Sequence, residues 1–291
     1  MDFLALKAFL AVAKEGSFSR AAEQLFITQP AVSKRIAGLE QQLNALLFDR
    51  VGRTITLTEH GRALLPHARS IIDQVTATEN LLGTLSDEVG GTLSIASSHH
   101  IGLHRLPKIL KSYTRQFPAV ELDLEFLDSE TACHKVEHGE LELALITLPE
   151  TITEALQTTQ IWHDPLVIVV SNEDLLAREA GVSREQLLQR RAILPQMNTF
   201  TRSIVTRQFQ QTGHEIRTIM ETNNLETIRK MVEIGLGWSA LPETMLSPAL
   251  TSLTVAGVRL SRSLGLIRHR NRSLSNAAQA MSKLLKQEKA T

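Results

Sequence analysis

The sequence predicts an α/β protein in three parts: an N-terminal winged helix-turn-helix, a long linker helix, and a two-lobed α/β domain. Three observations carry that prediction. Residues 17–53, SFSRAAEQLFITQPAVSKRIAGLEQQLNALLFDRVGR, hold two short helical patterns joined by only a few residues, the layout of a helix pair that presents its second member to DNA. Residues 59–88 place an apolar side chain at every third or fourth position, the seam of one long helix. From residue 91 strand-like and helical runs alternate, the pattern of βαβ units. At 291 residues there is room for about two domains.

The first helix sets Phe3, Leu6, Leu10 and Ala13 on one face, and Gly16 ends it. The second contributes Phe18, Ala21, Ala22 and Leu25. After a turn at residues 26–28 the third contributes Val32, Ile36, Leu39 and Leu43. Thr28 is placed to cap that helix, and Pro30 is tolerated because first-turn N–H groups lack helical partners. Residues 54–58 alternate apolar and polar after the turn at Val51-Gly52-Arg53, which predicts a two-stranded wing with Arg50 and Arg53 at its tip. Thr58 then caps a helix over 59–88, with Leu64, Leu65, Ala68, Ile71, Ile72, Val75, Thr78, Leu82 and Leu85 along its seam. So long a seam has no cover within its own chain, which predicts pairing with the same helix of a second subunit. Pro66 should bend this helix, and Gly90-Gly91 marks a hinge. The expected division is therefore 1–58, 59–89 and 90–291.

In the last part, strands are expected over 92–97, 120–127 and 143–147, with helices over 106–116 and 129–137. A second set follows: strands at 166–171, 192–194, 217–221 and 237–241, helices near 183–190, 200–212 and 224–235, then a strand at 264–268 and a helix at 275–286. This alternation predicts a mostly parallel sheet in two halves, lobe I at about 90–161 with 267–291 and lobe II at 162–266, with a ligand cleft between them.

Composition narrows the function. Thirty-one basic residues balance 31 acidic ones, so bulk charge is not how this chain would hold nucleic acid; a few well-placed cations are. One cysteine, Cys133, forbids an internal disulfide and suits a reducing compartment. The start MDFLALKAFLAVAKEG has helical periodicity interrupted by Lys7 and is not expected to be a signal peptide. No apolar run approaches the ~20 residues that cross a bilayer. A cytoplasmic protein without membrane association is expected.

The motifs FxxVAKEGSFSRAAEQLFITQPAVSKRIAGLEQQLNALLFDR, TITLTEHG and LLPHARSII, with looser matches at IASSHHIGLHRLPKIL and GLGWSALPE, run through most of the chain. In these the chain resembles the LysR-type transcriptional regulators. The resemblance implies a winged-helix dimer, a linker-helix coiled coil, frequent tetramers and a periplasmic-binding-protein-like sensor domain. It further implies control of a nearby operon by an inducer, with binding at an interrupted palindrome in promoter DNA; closure of the two lobes on that inducer is expected to alter DNA bending and contact with RNA polymerase.

Residue by residue, Gln29 and Ser33 stand one helical turn apart and can reach base edges, Gln pairing with adenine through two hydrogen bonds. Pro30 and Ala31 offer apolar contact to a thymine methyl. Arg20, Thr28, Lys34 and Arg35 suit phosphates, while Arg50 and Arg53 stand at the wing tip, where a wing meets a backbone or minor groove, Arg53 being placed to enter the minor groove. For the effector, candidates are Ser97, Ser98, His99 and His100 after the first strand, Thr147 at the crossing point, Asn198, Thr199, Phe200, Thr201 and Arg202 at a helix start, and Asn223-Asn224 at another. Hydroxyls and helix N-termini suit an anion such as the carboxylate of an organic acid, with Arg202 as the nearby cation and Phe200 and Trp238 as an apolar wall.

His99, His100, His104, His134 and His138 with Cys133 lack zinc-site spacing, and neither a metal nor a cofactor is expected. The run RHRNR at 268–272 fits a solvated loop. Of three rival functions, a global architectural DNA protein is disfavoured by zero net charge. An α/β enzyme is opposed by the lack of a phosphate loop or nucleophile elbow, and a solute-binding protein would not need residues 1–60.

Overall fold

The computed structural model describes residues 2–51, 54–83, 89–210 and 215–289. The chain forms two compact units, one built on the N-terminal helices and wing, the other on the α/β segment.

In the first unit, α1 (Phe3–Glu15) starts at Asp2, whose side chain accepts the Leu4 N–H, and stops at Gly16 in the left-handed region. It buries Ala5, Leu6, Ala8, Phe9, Ala11 and Val12; of the expected Phe3–Leu6–Leu10–Ala13 stripe, Leu6 is buried and Leu10 and Ala13 pack against the core partly buried. The helix is apolar almost all round, so its partners rather than its pattern choose the inward face. α2 (Phe18–Gln24) is capped by Ser17 and packs Phe18, Ala21 and Ala22 inward. The turn to α3 (Gln29–Leu43) runs through Phe26, which takes a φ of 53° and is 95% exposed. α3 buries Val32, Ile36 and Leu39, whereas Leu43 in its last turn faces solvent. Thr28 sits at the cap position but its hydroxyl makes no cap bond. One of the two usual donors, the second helical N–H, is missing because that residue is Pro30.

β1 (Phe48–Val51) and β2 (Thr54–Leu57) pair antiparallel as the expected wing. α4 (Glu59–Gly83) follows, its first turn capped by the Thr58 hydroxyl at 3.0 Å from the Gly61 nitrogen. Gly61 is buried, and any side chain there would overlap the Leu47 carbonyl. Pro66 lies inside α4; Leu85 and the expected end at Glu88 lie outside the described residues. Ala68 is buried in the helix-turn-helix core, and Leu64, Leu65, Ile71 and Ile72 pack against it. The first half of the seam is therefore covered by its own chain, which corrects the expectation that a second subunit must cover all of it. Proximity of the preceding helices decides this, and no helical wheel contains it.

The second unit opens with β3 (Gly91–Ser97), α5 (His99–His104), α6 (Leu106–Gln116), β4 (Val120–Phe126), α7 (Ser129–Glu137) and β5 (Leu143–Thr147). β3 lies between β4 and β5, parallel to both. β6 (Leu156–Ser171) then leads to α8 (Arg184–Leu188), β7 (Ala192–Leu194), α9 (Phe200–Gln210), β8 (Thr218–Glu221), α10 (Leu225–Glu233), β9 (Ser239–Pro242) and β10 (Leu250–Leu253). β11 (Leu260–His269) and α11 (Asn276–Lys289) complete it.

The larger sheet runs β10-β6-β11-β5-β3-β4, with β9 also on β6, while β7 and β8 pair separately. Parallel pairing holds for β3 with its neighbours and for β7 with β8; β11, β9 and β10 join antiparallel. The mostly parallel sheet is thus corrected. The 16-residue β6 and 10-residue β11 pass through both lobes side by side, and a return crossing must run against the first. Their pairing shifts register between Leu264 and Gly265, where a Cβ would overlap the Thr159 carbonyl. Each crossing strand was legible only in its apolar half, since the other halves carry polar residues such as those of QTTQ and LSRS.

Lobe I packs Leu93, Ile95, Tyr113 and Met281 on one sheet face and Ala132, Val136 and Ile146 on the other. Lobe II packs Phe209, Trp238 and Leu187 on one side and Ile193, Ile228 and Val232 on the other. No helix among the described residues is long and apolar enough to cross a membrane.

Candidate functional site

Because Val32, Ile36 and Leu39 turn inward, the opposite side of α3 is left open. Thr28, Gln29, Pro30 and Lys34 are exposed there, and Ala31, Ser33 and Arg35 are partly so. The Gln29 amide donates to the Ser33 hydroxyl at 2.9 Å, so the two candidate base readers hold each other in place. Arg20 on α2 turns back onto Glu15, with its guanidinium on that residue's carbonyl and 3.8 Å from its carboxylate. Arg50 lies in β1 opposite Ile55; its side chain, and the whole of Arg53, lie outside the described residues.

In the second unit, the C-terminal ends of the parallel strands converge on a polar cavity of about 60 Å³ between the lobes, where open α/β sheets bind ligands. Ser98, His99 and His100 come from the start of α5, Asp128, Ser129 and Glu130 from the start of α7, and Thr147 from the end of β5. From lobe II come Pro195, Thr199, Thr201, Asn223 and Leu225, and Arg262 stands on the crossing strand β11.

Three hydrogen bonds link the lobes around this cavity. The Phe200 N–H donates to Glu130 Oε1 at 2.6 Å, Asn223 Nδ2 donates to Asp128 Oδ2 at 2.8 Å, and the His104 ring meets Glu226 Oε1 at 3.1 Å. Burial raises the Glu130 carboxyl above its usual range, helped by the Asp128 charge and opposed by the Phe200 N–H.

Arg262 is the central cation. It is 5% exposed; Nε donates to Asp164 Oδ2 at 2.7 Å and Nη1 to the Thr201 hydroxyl at 2.9 Å. Its Nη2 has no hydrogen-bond partner among the described residues, and neither does either ring nitrogen of buried His100. Burial, then the Arg262 charge, pushes His100 down to about 3, so its 4.0 Å approach to Asp164 is not an ion pair. The cavity therefore holds one unsatisfied guanidinium N–H group and a neutral imidazole, and buried donors left unpaired are costly.

Of the effector candidates, Ser98, His99, His100, Thr147, Thr199, Thr201 and Asn223 line this cavity. Four do not. Ser97 is buried in β3, its hydroxyl turned to the Ser98 carbonyl. Phe200 contributes its backbone N–H. Arg202 points into lobe II, bound to the Pro195 carbonyl, Glu221, Thr206 and Thr218. Trp238 is fully buried against Phe209, with ring centroids 5.6 Å apart. Both large side chains follow the same rule: an apolar ring and a long cation in helix-flanking positions are claimed by the nearest core or carboxylate. Asn198 is exposed and outside the cavity, while Asn224 caps α10 through the Thr227 N–H.

Sequence reasoning missed Asp128, Ser129, Glu130 and Arg262. The first three follow the end of β4 just as Ser98 follows β3, so the strand-end rule would have found them. Arg262 gives no signal, standing between two serines in the half of β11 that patterning did not reveal. Elsewhere, Cys133 is half-buried in α7, where burial pushes its thiol up to about 11. Among the described residues no three His, Cys, Asp or Glu side chains are placed to share a metal.

Comparison with known proteins decides the family. The model of the LysR substrate binding domain matches residues 86–290, and that of the bacterial regulatory helix-turn-helix protein, lysR family, matches residues 3–62. The chain belongs to the LysR family of transcriptional regulators. This LysR-type chain is 30% identical to the "Probable RuBisCO transcriptional regulator" of Trichormus variabilis, over 98% of its own length and 88% of that protein's. Its fold matches full-length OxyR from Pseudomonas aeruginosa with a TM-score of 0.77 at 22% identity, covering 98% of this chain and 95% of that one. It also matches full-length CbnR complexed with its target DNA, with a TM-score of 0.67 at 18% identity over 99% and 100% of the two chains. The LysR-type chain thus has a DNA-binding helix-turn-helix and an effector-binding domain.

Proposed function

We propose that this regulator reads an interrupted palindrome in promoter DNA through α3 and answers to a small molecule held at Arg262. Residues 1–58 serve as the DNA-binding head, 59–89 as the dimerising linker and 90–291 as the effector domain. Gln29 and Ser33 contact base edges, with Pro30 and Ala31 against a thymine methyl. Arg20, Thr28, Lys34 and Arg35 contact the backbone, and Arg50 and Arg53 at the wing meet the backbone or the minor groove, Arg53 entering the groove. Self-association into a dimer or tetramer uses the linker helix and the effector domains. Closing of the lobes on the effector is the signal that alters the DNA complex and RNA polymerase contact.

One observation supports the effector reading above the others: a buried guanidinium nitrogen without a hydrogen-bond partner among the described residues, in a cleft flanked by the starts of four helices. That arrangement binds an acidic group of an organic molecule and performs no bond chemistry by itself. For the DNA reading, the test is a gel-shift titration on an operator selected by the full chain from a random-sequence pool. Gln29→Ala with Ser33→Ala should weaken operator binding roughly 10- to 100-fold, since a bidentate base contact discriminates by ~1–3 kcal/mol. Binding to scrambled DNA should hold, because phosphate contacts remain. Undiminished operator preference would refute the assignment.

A further inference from the structure

The lining of the cleft says more about the effector than that it carries an acid. Asp164 neutralises Arg262 from outside the lining, while Asp128 and Glu130, at the start of α7, line the same small cavity. Each of these two carboxylates accepts one N–H from lobe II, and Glu130 also takes its own backbone N–H; among the described residues of the lining Arg262 is the one formal cation, and it is already paired with Asp164. A ligand with only acidic groups would meet Arg262 at one end and two like charges at the other. A ligand carrying a cationic nitrogen as well satisfies both walls.

A second cavity of about 270 Å³ adjoins the first through His99, His100 and Leu225. Its other walls include Leu103, Phe126 and Met245. Leu103 is 58% exposed and Phe126 is 46% exposed, so apolar surface stands uncovered at the mouth of a polar site. Phe126 lies parallel to the His99 ring at 6.0 Å between centroids, and a side chain at Gly102 would overlap its ring. The glycine is what lets the aromatic ring close over α5 and line the opening.

We propose that the effector is an α-amino acid with an apolar side chain, its carboxylate on Arg262, its ammonium between Asp128 and Glu130, and its side chain over Leu103, Phe126 and Met245. This inference rests on the cleft being the effector site. Charge at both ends of a small head group and oil beyond it is the pattern of that class; an aromatic or aliphatic acid lacks the ammonium, and a dicarboxylate lacks both the ammonium and the tail.

The experiment is calorimetric titration of the full chain with three matched families: leucine, methionine and phenylalanine, the 2-hydroxy acid of each, and the amine of each lacking the carboxylate. At least one amino acid should bind, with its hydroxy acid and its amine each weaker by about 30-fold, as expected when a buried charge loses its partner. Asp128→Asn with Glu130→Gln should cut the preference for amino acid over hydroxy acid to about threefold or less; both amides still accept the Asn223 and Phe200 N–H groups. A hydroxy acid binding as tightly as its amino acid overturns the proposal, as does silence from all nine compounds at about 10 mM, a range that would reveal even millimolar affinity. If an amino acid binds equally well to Arg262→Met with Asp164→Leu, the cleft itself is the wrong site, a result distinct from failure of the charge pattern.

Discussion

The Arg262–Asp164 pair joins the two crossing strands beneath the effector cavity, and its removal should show how it is held. Both side chains are buried, with Nε and Oδ2 at 2.7 Å. Breaking such a pair from one side leaves a charge in a poor solvent at a cost of ~3–5 kcal/mol, whereas replacing both partners by apolar groups is near neutral. The two single variants should differ. Arg262→Met leaves Asp164 with Arg105, whose Nη2 is 3.9 Å from Oδ1, so the lower figure of ~3 kcal/mol applies. Asp164→Leu leaves Arg262, among the described residues, with the neutral Thr201 hydroxyl as its hydrogen-bond partner, and ~5 kcal/mol is expected. At roughly 2–4 °C per kcal/mol for a domain of this size, thermal melts should fall by about 6–12 °C and 10–20 °C. The double variant should melt within about 4 °C of the parent. A double variant that loses the sum of the two single effects would refute the coupling. If the expectation holds, that variant is also a folded protein lacking the cation of the cleft.

Two further outcomes follow from the same geometry. His100 has a depressed value in the fold, about 3 against 6.5 for a free histidine, so the unfolded chain takes up its proton first. Stability from this group is complete above 6.5 and declines toward pH 3; about 2 kcal/mol should be gone by pH 5. His100→Gln should flatten that part of a urea-denaturation profile, and parallel profiles would count against it. Gly61→Ala should destabilise the N-terminal unit by ~1–3 kcal/mol, because the added methyl overlaps the Leu47 carbonyl and α4 must shift. An unchanged melt of that unit would show the approach to be looser than described.

How far each feature was legible depends on how local its cause is. α6, α7 and β5 match their expected spans because turn residues and apolar periodicity lie within them. The cap of α4 by Thr58 is local in the same sense. α5 was not expected as a helix, since six residues of HHIGLH carry little periodic signal. The long β6 and β11 were seen only in part, because a strand shared by two lobes changes its exposure pattern midway.

The helix-turn-helix, the wing, the alternation of strands and helices, and the polar strand ends that belong at a cleft are all readable along the chain. These follow from periodicity, capping and turn chemistry, whose range is a few residues. Tertiary structure alone decided which cation faces the cleft. Arg202 and Arg262 are equally cationic on paper, but Arg202 finds Glu221 and three oxygen acceptors inside lobe II. Arg262, brought by the crossing strand beneath the cavity, keeps one donor without a partner among the described residues. Distance through space, not along the chain, determines which charge is already satisfied.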